Sequence, residues 1–233
     1  MKDPTRIPAV LEELRATWEG QPDLSLATLF GILENKGIGW GADDAELVLA
    51  LQQMRHQQPA RIGPEISSRF VVNTSGPDSR ITIDPYRIVL RRLLPRGQHT
   101  QPGVWDYDTI DKCEVGAPLR ITDAGGINHR LGVVDSIELV SDTPERYAAG
   151  LGGVTRELID TQVLLFQVSG ERTVVLDRTL NIFTARGREL HQEKLRWKKL
   201  IQAKPGESLL IARAGNNEVL DLGVVEHCFH LEG

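Results

Sequence analysis

The first sixty residues carry apolar side chains at the period of an α-helix. Spacings of three and four predict a first amphipathic helix with the stripe Ile7, Val10, Leu11, Leu14 and Trp18. Ser25 is suited to cap a second helix that ends at Gly37, and Asp43 with Glu46 has capping-box spacing for a third. We therefore predict a small helical domain over residues 1–60.

From residue 66 the pattern changes to the two-residue alternation of β-strands. Short runs of Val, Ile, Leu and Thr are bounded by Gly, Pro, Asn and Asp, and the same pattern recurs after residue 160. Ile81 and Ile83, for example, lie two residues apart, as on one buried strand face. The second part of the chain is therefore predicted to be β-structure.

The two β-rich stretches match each other. Residues 116–125 align with 206–215 and residues 131–134 with 222–225, so that nine positions of 116–134 recur in the second stretch. Looser matches upstream pair Ser75 with Ser169, Gly76 with Gly170, Asp84 with Asp177, His99 with His191, and Trp105 with Trp197. The sequence therefore predicts an internal duplication of roughly seventy-five residues, with about five strands in each copy.

A sheet of about five strands stays soluble by closing on itself or by packing against a neighbour. We predict an α+β protein in which a small helical N-terminal domain precedes two tandem, duplicated small β-barrels of SH3-like form, with Trp105 and Trp197 in their cores. The predicted boundaries are 1–60 for the helical domain, 66–140 for the first repeat, 141–159 for a linker, and 160–233 for the second repeat.

The helical segment from residue 6 to residue 55 resembles the YihD-like family of small bacterial proteins. The resemblance rests on Arg6, the stripe Leu11, Leu14 and Trp18, the run Pro22-Asp23-Leu24, and the acidic pair Asp43-Asp44. It implies a helical domain and a bacterial source, and it implies no catalytic chemistry. The duplicated β region resembles no family that we recognise.

Composition narrows the class of protein. Hydrophobic residues make up 40% of the chain and charged residues 25%, with a net charge of −5, which is typical of a globular protein and unlike a basic nucleic-acid coat. No apolar run reaches the length of a membrane span, and the first residues lack the apolar core of a signal peptide. With only two cysteines, we expect a cytoplasmic protein without a membrane association.

Motifs for catalysis and for cofactors are missing from the sequence. It contains no GxSxG, HExxH, GxxxxGK[ST] or strand-linked GxGxxG pattern, so we predict no catalytic residue and no cofactor. His227, Cys228 and His230, with Cys113, invite a metal hypothesis, but paired ligand spacings are lacking and we predict no metal. Asp84 and Asp177 are expected to bind turn backbone groups.

Basic residues concentrate at equivalent places in the two predicted repeats, after the third strand and into the tryptophan loop. The candidate residues for binding nucleic acid or another anion are Arg87, Arg91, Arg92, Arg96, Arg186, Arg188, Lys194, Arg196, Lys198 and Lys199. His99 and His191 form a candidate pair between the repeats. The alternative for the basic residues is that they are solvated side chains of half-buried strands.

These features favour a non-catalytic binding or regulatory module that engages a protein partner. The partner surface would be that of the barrels or the acidic helical domain, where residues 1–60 hold nine acidic and five basic residues. The first alternative is nucleic-acid binding through the basic loops, and the second is an enzyme with a cleft between the repeats. The sequence leaves a homo-oligomer open.

Overall fold

The structure is a computed structural model that describes residues 4–93, 100–146, 148, 151–186, 189–216 and 218–232. It has three helices followed by β-strands, which confirms the α+β class. The described residues form two compact units. Unit 1 runs up to position 98 and from 104 to 144, and unit 2 comprises positions 99–103 and 145–233. The helices therefore belong to the same unit as the first sheet. No helix in the described part of the chain is long and apolar enough to cross a membrane.

The three helices begin at the polar residues that the sequence indicates. Their bounds are α1 Arg6–Glu19, α2 Leu26–Asn35 and α3 Asp44–Gln57. Ser25 accepts a hydrogen bond from the backbone N–H of Thr28, which confirms the predicted cap of α2. Asp43 and Glu46 form the complete capping box at the start of α3, as predicted.

The apolar stripe of α1 differs from the expectation. Ile7 is 48% and Leu11 58% exposed, whereas the only buried residue of this helix is Thr17. The hydroxyl of Thr17 lies 3.0 Å from the carbonyl oxygen of Leu51 in α3, so α1 packs on α3 with a mixed face. The predicted helix is correct, but most of its apolar stripe faces solvent.

Unit 1 contains a mostly antiparallel sheet with the strand order β1-β6-β7-β8-β2-β3-β4-β5. The strands are β1 Arg61–Ile62, β2 Arg69–Ser75, β3 Ser79–Ile83, β4 Ile88–Arg92, β5 Gly103–Trp105, β6 Tyr107–Glu114, β7 Pro118–Asp123 and β8 Asn128–Ser141. One face carries the core, in which Val72, Ile81, Ile121 and Ile137 are fully buried.

Unit 2 repeats this arrangement with the strand order β12-β11-β10-β9-β15-β14-β13. The strands are β9 Val163–Val168, β10 Arg172–Leu176, β11 Leu180–Arg186, β12 Glu189–Leu195, β13 Trp197–Gln202, β14 Ser208–Arg213 and β15 Val219–Glu232. Matching β2 through β8 to β9 through β15 gives the same neighbours in both sheets. Each described sheet thus has seven corresponding strands, where the sequence predicts about five.

The longest strand of each unit is shared between two groups of strands. In β8, residues 128–133 pair with β7 and residues 133–141 pair with β2. In β15, residues up to Val224 pair with β14 and the following residues pair with β9. A glycine with positive φ marks the change of partner in each strand, Gly132 at +95° and Gly223 at +107°.

The turns before β7 and β14 use the same hydrogen bonds. Gly116 donates its N–H to the carbonyl of Val134 at 2.8 Å, and Gly206 donates to Val225 at 2.8 Å. Both glycines have positive φ, +78° and +85°, a backbone conformation that residues with a side chain rarely adopt. The best-matched sequence segment therefore forms the same local structure twice.

The aromatic residues correspond differently from the alignment in the sequence. Trp197 is fully buried, and its indole N–H donates to the carbonyl of Asp177 at 2.7 Å. In unit 1 this role belongs to Tyr107, whose hydroxyl donates to the carbonyl of Asp84 at 2.9 Å. Trp105 lies two residues earlier and is only half-buried. The predicted pairing of Trp105 with Trp197 is therefore wrong by two positions, although Trp197 is a core residue as expected.

Candidate functional site

A groove in unit 1 lies between the helices and the sheet. It consists of a larger cavity of about 790 Å³ and a smaller one of about 510 Å³, which share Glu19, Ala60 and Glu114. The larger cavity is lined by Glu12, Arg15, Ala16, Glu19, Gln52, Arg55, His56, Pro59, Ala60, Arg61, Ile62, Gly63, Glu65, Ile66, Ser67, Ser68, Phe70 and Glu114. The smaller cavity is lined by Glu19, Pro22, Asp23, Ala60, Glu114, Val115, Gly116, Val133, Val134 and Asp135. We call the two together the unit 1 groove.

The position of the groove is fixed by a close backbone contact. A Cβ atom added to Gly20, at the end of α1, would lie 2.2 Å from the carbonyl oxygen of Gln58 and 3.2 Å from the nitrogen of Ala60. Only glycine therefore lets α1 end against the chain that leads into β1. That chain continues along β6, where Arg61 faces Glu114.

The basic side chains of the larger cavity have acidic neighbours. Arg15 lies 2.6 Å from Glu12 and 3.8 Å from Glu19, and the hydrogen bond from Arg15 lowers the pKa of Glu12. Arg55 lies 2.9 Å from Glu13. The exposed pairs of Arg15 contribute little to stability, whereas Glu13 is largely buried, and all of these carboxylates offset the positive charge on this wall. The whole groove is lined by six carboxylates and three guanidinium groups.

The smaller cavity is acidic. Its described lining contains four acidic residues, Glu19, Asp23, Glu114 and Asp135, and no basic residue. Two of them have a cation beside the cavity, since Lys112 lies 3.4 Å from Glu114 and Arg15 lies 3.8 Å from Glu19, whereas Asp23 and Asp135 supply the remaining negative charge. Glu19 is also the last residue of α1, where the helix dipole adds partial negative charge. Asp135 is held in place because Ser75 donates its hydroxyl to this carboxylate at 2.8 Å. The arrangement favours a cationic group.

A second polar cluster lies at the end of β7. His129 Nε2 is 2.7 Å from one carboxylate oxygen of Asp123, and the backbone N–H groups of Gly125 and Ile127 donate to the other at 2.9 Å. The hydrogen bond from His129 is the main cause of a lowered pKa at Asp123. The ring of Trp105 lies 5.6 Å from the His129 ring, centroid to centroid. This cluster closes the β7–β8 turn.

The predicted basic residues of unit 1 do not form one exposed surface. Arg87 is 5% exposed, and its Nε lies 3.8 Å from the buried carboxylate of Asp84. Asp84 also accepts hydrogen bonds from the N–H groups of Tyr86 and Arg87, which confirms its predicted turn role. Arg91 is half-buried and Arg92 is exposed. Arg96 lies outside the described residues.

Four of the predicted basic residues of unit 2 are exposed within one short stretch of chain, from the end of β12 to the start of β13. We call Lys194, Arg196, Lys198 and Lys199 the basic face of unit 2. Lys198 and Lys199 are both exposed because the pairing of β13 with β14 shifts register between Trp197 and Lys199. Arg188 and the side chain of Arg186 lie outside the described residues. The described part of the basic surface is thus concentrated in unit 2.

The histidine and cysteine predictions have separate outcomes. His191 is exposed on β12, opposite Thr184, and His99 lies outside the described residues. Cys113 and Cys228 are buried free thiols, and burial raises the pKa of each to about 12. Across the described residues, no group of three or more His, Cys, Asp or Glu side chains is arranged to hold a metal ion.

The acidic lining of the groove is the feature that sequence reasoning missed. Its residues come from α1, the α1–α2 turn, β6 and β8, so no local motif joins them. The available signal was the excess of acidic residues in positions 1–60. Comparisons with protein-family models, with curated proteins and with solved structures give no match to this chain.

Proposed function

We propose that the protein is a non-catalytic binding module that takes up a basic, extended segment of a partner protein in the unit 1 groove. The observation that carries the proposal is the smaller cavity, with four carboxylates and no basic residue in its described lining. A lysine or arginine side chain of the partner would enter this cavity. Of the four carboxylates, that of Asp135 is oriented before binding by the hydrogen bond from Ser75.

The larger cavity supports an extended ligand. β1 is at the end of the sheet, and its two residues line this cavity together with Gly63. The end of a sheet offers backbone N–H and C=O groups to which an extended peptide adds as a further strand. Ile62, Ile66 and Phe70 supply the apolar contacts of the same wall.

A peptide titration tests the proposal. We expect a fluorescein-labelled eight-residue peptide of alternating Lys and Val to bind the full chain, with an affinity that falls as salt rises. A peptide of alternating Glu and Val should not bind. Asp23→Lys, which reverses one charge of the smaller cavity, should raise the dissociation constant about tenfold.

The matched control is Glu34→Lys. Glu34 is an exposed residue of α2 that does not line the groove, and the substitution makes the same change in net charge. It should leave peptide affinity within about twofold of the original value. Equal effects of the two substitutions, or equal binding of the two peptides, would show that the groove does not select the ligand.

The basic face of unit 2 favours a second candidate function, the binding of a nucleic-acid backbone. Four exposed cations within six residues of chain are suited to phosphate contacts. Anisotropy of a labelled oligonucleotide at about 50 mM salt measures this binding. Replacing Arg196, Lys198 and Lys199 by Glu should abolish it, whereas Lys204→Glu, at an exposed lysine outside the basic face, should not. Absence of binding at low salt would reject this candidate.

Four further interpretations stand beside this proposal. The common strand order and the matching turn hydrogen bonds support a duplication of one small β unit, and the SH3-like form of that unit stays a prediction. The resemblance of the helical segment to the YihD-like family stays a prediction, as does an enzyme with a cleft between the repeats. Two free, buried cysteines support a reducing, cytoplasmic location.

A further inference from the structure

The strand β12 is an exposed edge of the sheet in unit 2. It ends the strand order, and within the described residues it pairs with β11 alone. The side chains from Glu189 to Lys194 are exposed on both faces, including Leu190 at 46%. Such an edge offers a row of backbone N–H and C=O groups to another strand, and soluble proteins normally protect it.

We infer that β12 pairs with β12 of a second copy of this chain, antiparallel, around a twofold axis at Gln192. Pairing of this kind adds the two sheets into one and removes both free edges. The twofold axis is perpendicular to the sheet. Facing residues therefore lie on the same face, and one residue always faces its own copy.

Three registers keep β12 largely paired, with the twofold axis at His191, Gln192 or Glu193. The charges of the facing residues distinguish among them. An axis at Glu193 would place this carboxylate opposite its copy, and an axis at His191 would place Glu189 opposite Glu193. Directly opposed like charges destabilise a sheet. An axis at Gln192 avoids both contacts.

The register centred on Gln192 also supplies favourable pairs. His191 of each copy faces Glu193 of the other, twice in the dimer, and Glu189 faces Leu195. Leu190 faces Lys194, whose aliphatic stem covers the exposed leucine while its ammonium group remains in water. The strand is thus complementary to itself in one register.

Cysteine crosslinking of the full chain tests the position of the axis. In the proposed dimer the two copies of residue 192 face each other, with Cβ atoms about 5 Å apart, close to disulfide geometry. The copies of residue 190 lie four residues out of register, about 14 Å apart. Mild oxidation should therefore crosslink Gln192→Cys, and should leave Leu190→Cys and the unmodified chain, with its buried cysteines, uncrosslinked.

Sedimentation velocity tests the charge pairing. The unmodified chain should dimerise at micromolar concentration, and Glu193→Lys, which places a cation opposite His191, should raise the dissociation constant about tenfold. Glu189→Lys makes the same charge change opposite a leucine and should leave the constant within about twofold. A monomeric chain at about 100 μM, equal effects of the two substitutions, or crosslinking of Leu190→Cys as efficient as that of Gln192→Cys would overturn the proposal.

Discussion

Alanine substitution of the glycines in the long strands should be costly, and more costly in unit 1. A residue with a side chain at positive φ costs about 1–2 kcal/mol relative to glycine. At Gly132 the new Cβ would also lie 2.7 Å from the carbonyl oxygen of Ser75. Relieving a backbone contact of this kind adds about 1–3 kcal/mol, so we expect Gly132→Ala to lower the free energy of unfolding by about 2–5 kcal/mol.

The turn glycines provide the matched control. Gly116 and Gly206 have positive φ, but a Cβ at either position would meet no atom within 4 Å. Their alanine variants should therefore lose only the backbone term of about 1–2 kcal/mol. Urea unfolding followed by circular dichroism gives the free energy of unfolding of the three variants. If Gly132→Ala is no more destabilising than Gly116→Ala, the close contact with Ser75 does not contribute to the loss in free energy of unfolding, and the reasoning is refuted.

At Gly223 a new Cβ would meet a side chain rather than a carbonyl oxygen, so a second substitution can relieve the contact. The nearest atom to its new Cβ would be the Ser169 hydroxyl oxygen at 2.9 Å, and this oxygen accepts a hydrogen bond from the N–H of Val224 at 3.0 Å. Gly223→Ala should cost about 2–3 kcal/mol. Ser169→Ala should recover about 1 kcal/mol of that loss in the double variant, measured as a coupling energy. Strict additivity of the two substitutions would contradict this account.

Three other predictions follow from polar and thiol groups. Cys113 and Cys228, with pKa values raised to about 12 by burial, should react with a thiol reagent at pH 8 only when the chain is unfolded, and then with two equivalents. Tyr107→Phe should lower the free energy of unfolding by about 1 kcal/mol in urea titrations, because one partly buried hydrogen bond is lost. The pKa of Asp123 in the folded chain lies below its ordinary value of 3.8, so its stabilising effect is complete above that value and is lost as pH falls through the folded pKa. The difference in urea midpoint between the unmodified chain and Asp123→Asn should therefore shrink from pH 5 to pH 3, and a constant difference would refute the role of this carboxylate.

Local chemistry made the elements of this chain predictable. The caps at Ser25 and Asp43 act through hydrogen bonds within three residues, so the sequence alone places the starts of α2 and α3. The turn at Gly116 and its counterpart at Gly206 lie within the segment whose residues match in sequence. In each case the residues that decide the structure are neighbours in the chain.

The errors arose where distant parts of the chain decide the outcome. The apolar stripe of α1 does not reveal which face of the helix packs on α3. In the structure that face contains Thr17, whose hydroxyl donates to the carbonyl of Leu51. The basic pattern around Arg87 does not reveal that Asp84 holds it in the interior. Likewise, the acidic cavity depends on the approach of Gly20 to residues 58–60, a contact across about forty positions that no local pattern encodes.

The shared long strand of each unit is the last of its strands in chain order, so the sheet cannot be completed before this strand is made. β15 follows every other strand of unit 2 along the chain, yet it is the neighbour of both β14 and β9. During synthesis these two strands each lack one partner until residues 219–232 have left the ribosome. Unit 2 therefore completes its fold late, and its incomplete form exposes two strand edges to chaperones or to other nascent chains.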